Sequence, residues 1–249
     1  MLRGNNNEIS EYVSGKNAKK LLSKYCKAKL SVRGLEAINL FLDQFLVLLV
    51  KHRNTANKYG ITHYQSILTK VIKDEVLLRS CMDEARSRSA QMITGLSLNY
   101  VMSIQDMIKS QDTLDRFPED DPHFKARYLS QLRQFIVSCS LLSSNQYSIT
   151  SNSRPGAQYF SLPVGLFIGN AVEQISRFLL LNIGTEAHKE KLKTISADRV
   201  AYIFFHNNTI NEIAETTGFF SSFEVLYCVY VLINLILNNY IFRLKHLKL

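Results

Sequence analysis

Two stretches of this 249-residue chain carry apolar stripes that cannot be left in water. In "LEAINLFLDQFLVLLVKHRNT", Ile38, Phe41, Leu42, Phe45, Leu48 and Leu49 recur at the i, i+3, i+4, i+7 spacing of one helix face. Glu36, Asn39 and Asp43 mark the opposite face. In "VGLFIGNAVEQISRFLLLNIG" the stripe is Val164, Phe167, Ile168, Ala171, Val172, Ile175, Phe178 and Leu179, opposed by Asn170, Glu173 and Arg177. Pro163 falls just inside the start of this second helix, where its missing N–H costs nothing.

Each long stripe sits in the same local grammar. Before the first, "KNAKKLLSKYCKAKL" (Lys16 to Leu30) has the pattern of a short amphipathic helix, and "SVRG" (Ser31 to Gly34) that of a loop. After it, a polar turn leads to "ITHYQSILTKVIKDEVLLR", where Thr62 and Gln65 have the spacing of a capping box. Further helices are expected to about Ser110. In the second half, "KARYLSQLRQFIVSCSLL" predicts a helix, residues 143–160 a Ser/Asn-rich loop insertion, and "KLKTISADRV" a basic turn followed by Ile195 and an N-cap at Ser196, with Asp198 well placed in the first turn. Ile61 before Thr62 corresponds to Ile195 before Ser196, so a repeated helical unit of about 90 residues is expected. The expected division is a polar segment 1–15, a first unit 16–115, a linker 116–122 around "RFPEDDPHF", a second unit 123–218, and an apolar C-terminal helix 219–249.

Composition narrows the function. With 46% hydrophobic and 20% charged residues the chain predicts a packed, all-α protein, and a formal charge of +9 draws it toward nucleic acid, acidic partners or anionic membranes. Cys26, Cys81, Cys139 and Cys228 are scattered without a C-x-x-C pair, which predicts reduced thiols and no metal site. The N-terminus lacks a signal-like apolar run. There is no G-x-S-x-G elbow, phosphate-cradling glycine loop or H-E-x-x-H, the six histidines are dispersed, and "PEDD" reads as a solvated linker; no catalytic residue and no cofactor are expected. Val225 to Phe242 is uncharged and long enough to be a membrane candidate. Asn234, Asn238 and Asn239 cluster on one side of it, which favours a helix packed on the core or on a partner.

Short, long, short helices in two copies resemble the histone-fold plan. "LSVRGLEAINLFLDQFLVLLV" and "VIKDEVLL" look like histone two-A; "YLSQLRQFIV", "KLKTISADRV" and "INEIAETTG" look like histone two-B. The resemblance covers about two-thirds of the chain and implies two units clasped as an intramolecular pseudo-heterodimer. Phe41, Leu42, Phe45 and Leu48 would meet Ile168, Ala171, Val172, Ile175 and Phe178 across the interface. The loop carrying Lys27, Lys29 and Arg33 would lie beside the loop carrying Lys189, Lys191 and Lys193, a pairing that in histones contacts DNA phosphates. Lys51, Arg53 and Lys58 would approach Arg154 at the other end. Basic tails are absent, and Leu192 and Arg199 align where many histone folds have an Arg and Asp clamp. The expectation is therefore a nonenzymatic nuclear module outside the nucleosome, with duplex DNA and protein partners. The alternative is a protein-interaction scaffold or tail-anchored membrane adaptor, in the cytoplasm or at a membrane, that uses the apolar C-terminal helix.

Overall fold

The computed structural model describes residues 10–51, 61–83, 124–144, 160 and 162–221. These residues are mostly helical. In chain order they form α1 (Gly15–Leu22), β1 (Lys29–Leu30), α2 (Val32–Lys51), α3 (Ile61–Val71), α4 (75–83), α5 (Phe124–Cys139), α6 (Leu162–Lys189), β2 (Thr194–Ile195), α7 (Ala197–His206) and α8 (Asn208–Thr217). The expected linker 116–122, the residues 145–159 of the insertion, Arg53, Lys58 and Arg154, and the stretch 225–242 lie outside the described residues.

Both stripes are buried, as their periodicity predicts. Phe41, Leu42 and Phe45 on α2, and Ile168, Ala171, Val172 and Ile175 on α6, are buried in one continuous core that also takes in α3, α5, α7 and α8. α2 is covered by α6, α7 and α8 from the second half of the sequence, and α6 by α5 from its own half together with α1 and α2 from the first. Phe41 anchors the far side, its ring edge-on to Phe204 at 5.0 Å and to Phe219 at 5.3 Å. Gly218 ends α8 in the left-handed region (φ 71) that glycine adopts without a Cβ penalty, and this turn delivers Phe219 to the cluster. Residues 164–189 are long and apolar enough to cross a membrane, but most of that helix is inside this core.

Several expectations need correction. The helix expected over Lys16–Leu30 stops at Leu22: Ser23 folds its hydroxyl onto the Lys20 carbonyl at 2.9 Å, the chain turns, and Lys29–Leu30 is extended. "SVRG" is not a loop. Ser31 accepts from the Gly34 N–H at 3.0 Å and caps α2, whose first turn is Val32 to Gly34. Thr62 is not a cap, because α3 already includes Ile61. Phe178 is only partly buried. Both ends of the expected insertion are anchored, Ser143 and Phe160 being buried, and the Phe160 ring meets Phe135 at 5.3 Å.

The largest departure concerns the polar faces. Asn39, Asn170 and Glu173 are buried, Asn39 under the segment before α1 and Glu173 under the turn that follows α5. The Asn39 amide exchanges hydrogen bonds with Val13, donating to its carbonyl at 3.1 Å and accepting from its N–H at 2.9 Å. Arg133 on α5 donates to both Asp43 oxygens, at 2.7 and 2.6 Å, and Tyr12 donates to Asp43 at 2.8 Å. Burial, then the Asp43 charge, raises the Tyr12 phenol well above its ordinary range. Burial would lower the Arg133 guanidinium, but the bonds and charge of Asp43 outweigh it and keep Arg133 firmly protonated. A 2.6 Å bond between the Tyr64 and Tyr128 hydroxyls ties α3 to α5 in the same way.

Candidate functional site

The two short strands set the geometry of the site. β1 and β2 pair in parallel, Lys29 opposite Thr194 and Leu30 opposite Ile195. The Lys29 N–H donates to the Lys193 carbonyl and the Ser31 N–H to the Ile195 carbonyl, each at 3.0 Å. Ile195 is fully buried and pins the pair to the core, while Lys29 and Thr194 stay exposed. The chain can close this tightly because position 34 is glycine: a Cβ there would come within 2.9 Å of the Ile195 carbonyl oxygen.

The second loop is shaped by the end of α6. The Leu192 N–H bonds the Ala187 carbonyl at 3.0 Å and the Lys191 N–H the His188 carbonyl at 3.1 Å, a Schellman turn with Lys191 in the left-handed region (φ 54) usually given to glycine. A lysine there costs on the order of 1 kcal/mol. Glu190 in the same loop forms an ion pair with Arg199 on α7, and the Arg199 guanidinium also lies over the Tyr202 ring at 4.1 Å. Ser196 caps α7 as expected, accepting from the Arg199 N–H at 3.3 Å.

Lys27, Lys29, Arg33, Lys189, Lys191 and Lys193 are all exposed, and the strand pairing brings the two loops that carry them together. Lys189 is engaged locally by Glu186 at 2.6 Å. The capped N-termini of α2 and α7 follow directly from β1 and β2, and their dipoles add partial positive charge to this edge. Lys51, the one described member of the second expected cluster, is exposed at the end of α2.

Sequence reasoning missed part of this patch. Lys16, Lys19, Lys20 and Lys24 are also exposed and extend the basic surface along α1 and its following turn. A segmental charge count would have found them, since the sequence has no acidic residue between Glu11 and Glu36.

The chemistry of the site is that of charge. Among the described residues no group of His, Cys, Asp or Glu could hold a metal ion. Burial pushes the Cys81 thiol up to about 12 and raises Cys139 as well, so both are poor nucleophiles at neutral pH. Comparison with family models, with curated proteins and with solved structures finds no match.

Proposed function

We propose that the chain is a nonenzymatic tandem histone-fold module, two-A-like then two-B-like, that acts in the nucleus by binding duplex DNA through its paired loops and by assembling with other proteins. The observation that carries the reading is the parallel pairing of β1 with β2. The loop before the long helix of one unit lies beside the loop after the long helix of the other, as the resemblance implies for two clasped units. The shared core of α2 and α6 supports the same arrangement. The missing Arg and Asp clamp has a counterpart of opposite polarity, with Glu190 in the loop and Arg199 on the third helix of that unit.

Phosphate binding follows from the charge at this junction. Each phosphate neutralised by a lysine or arginine releases condensed counterion, giving about 0.9 in the slope of log K against log salt. The surface selects a polyanion by position and charge, with no base-reading element implied. A second reading, a protein-interaction scaffold with charge serving solubility, draws on the exposed aromatic face of α7, where Tyr202 is 46% and Phe205 60% accessible.

The test is binding of the purified full chain to a duplex across a salt series, beside the Lys189→Glu, Lys191→Glu, Lys193→Glu variant. The expected result is a steep slope that loses about 2–3 in the variant. Lys191→Gly serves as the control: it should relieve the left-handed strain and raise stability by about 1 kcal/mol while still weakening DNA binding. An unchanged slope in the triple variant would remove the DNA role and leave the scaffold.

A further inference from the structure

The hydroxyls around the β1–β2 junction are mostly used by the fold. Ser23 donates to the Lys20 carbonyl at 2.9 Å, Ser31 accepts from the Gly34 N–H at 3.0 Å, and Ser196 accepts from the Arg199 N–H at 3.3 Å. Thr194 differs. Its side chain is exposed and its hydroxyl has no hydrogen-bond partner among the described residues, while Ile195 beside it is fully buried. Lysine precedes it one, three and five residues earlier, at Lys193, Lys191 and Lys189. Across the ladder it stands opposite Lys29, on strands about 4.8 Å apart, so Lys29 and Thr194 project to the same side.

The charge around this hydroxyl is positive. Lys189 is held by Glu186 and Glu190 by Arg199, and Arg33 is engaged as well. What remains exposed in the two loops is Lys27, Lys29, Lys191 and Lys193, against the carboxylates of Asp198 and Glu36 near the starts of α7 and α2. A run of lysines before an accessible hydroxyl is the charge pattern that a basophilic protein kinase reads with its own carboxylates. We propose that Thr194 is a phosphorylation site, and that a phosphate placed there switches off the junction's hold on DNA; the switch rests on the DNA reading above, the modification itself does not. In the transfer the Thr194 Oγ1 attacks the γ-phosphorus of ATP, the bond to the β–γ bridging oxygen breaks, ADP leaves with that electron pair, and the hydroxyl proton passes to the kinase's catalytic carboxylate. The product carries a charge of about −1.5 to −2 on three acceptor oxygens. Lys29, Lys191 and Lys193 then turn onto a phosphate fixed in the chain and are lost to the duplex, whose own phosphates the new charge repels. Presenting Thr194 to a kinase means parting a ladder two residues long, a local opening rather than global unfolding.

The test treats the full chain with Mg-ATP and the catalytic domain of a basophilic serine/threonine kinase, locates the phosphate by tandem mass spectrometry, and then measures duplex binding across a salt series. Phosphate is expected on Thr194, with total incorporation falling in Thr194→Val. That variant is close in shape and breaks no described hydrogen bond, so it should keep the parent's melting temperature and duplex affinity, before and after kinase treatment. The phosphorylated parent should bind the duplex at least about tenfold more weakly, with a salt slope smaller by about 2–3. No phosphate on Thr194, while the same kinase modifies a peptide of residues 189–197, would overturn the site, as would phosphate on Ser23 or Ser196 in its place. An equal loss of binding in kinase-treated Thr194→Val would assign the switch to another residue and overturn it here. The unmodified parent tells the two failures apart. If it does not bind the duplex, the DNA reading falls and the switch with it; if it binds and the Thr194 phosphoprotein binds equally well, the switch alone is overturned.

Discussion

The long helices α2 and α6 have matching apolar stripes but treat their polar sides differently. On α2 both polar atoms of the buried Asn39 amide and both oxygens of the Asp43 carboxylate are hydrogen-bonded, to Val13, Tyr12 and Arg133. On α6, Glu173 is satisfied by Arg177 at 2.7 Å and by the Leu141 N–H at 3.2 Å, but neither polar atom of the buried Asn170 side chain has a hydrogen-bond partner among the described residues. A polar residue opposite an apolar stripe is therefore no guarantee of a solvent face. Its cost or benefit depends on what the next layer offers it.

That contrast can be broken by substitution, starting where the most is lost. Asp43→Ala strands the Arg133 guanidinium in a mostly covered site and should cost about 2–4 kcal/mol, read as a lower urea midpoint. Replacing Asp43 and Arg133 together by Leu and Met should recover much of that loss. Next comes the amide pair: Asn39→Ala should cost about 2 kcal/mol by leaving the Val13 N–H and C=O buried and unpaired, whereas Asn170→Ala, which breaks no hydrogen bond, should stay within about 1 kcal/mol of the parent. Equal losses at the two asparagines would mean that Asn170 holds a bound water, and the comparison would fail. The smallest effects distinguish two glycines. Gly34→Ala should destabilise by about 1–2 kcal/mol, because its methyl meets the Ile195 carbonyl. Gly169→Ala has only ordinary contact with Ile136 at 3.7 Å and should stabilise α6 by about 0.5–1 kcal/mol, read as a small rise in melting temperature.

Much of this arrangement was legible in the sequence. The 3.6-residue spacing of Phe41, Leu42 and Phe45, and of Ile168, Val172 and Ile175, marked the faces that are buried, because helical periodicity is a local property. Ser196 was legible as a cap for the same reason. The end of α1 was not, since Lys16 to Leu30 reads as one amphipathic run and what straightens Lys29 and Leu30 is a strand pairing with residues far along the chain. Asn39, Asp43 and Glu173 were placed on the correct side of their helices, but their burial depends on α5, the turn that follows it and the residues before α1, which no pattern within α2 or α6 encodes. At the candidate site, the two lysine loops were placed side by side only by the histone-fold resemblance, while the contribution of α1 required counting charge without regard to helix faces. The Glu190 and Arg199 pair was not legible because Glu190 lies two residues before Leu192 in the loop and meets Arg199 only through the fold of the turn.

The bond between Lys29 and the end of the second loop has a consequence during synthesis. β1 leaves the ribosome long before its partner strand and the Phe204 and Phe219 rings that cover Phe41. At about 5–20 residues per second the interval is on the order of 10–30 s. For that time the α2 stripe is translated but cannot yet be covered by its final neighbours. Closing so distant a pair is also slow for the finished chain. Truncations before Ile195, which lack the strand and rings that cover α2, should therefore be found bound to chaperones or aggregated rather than folded.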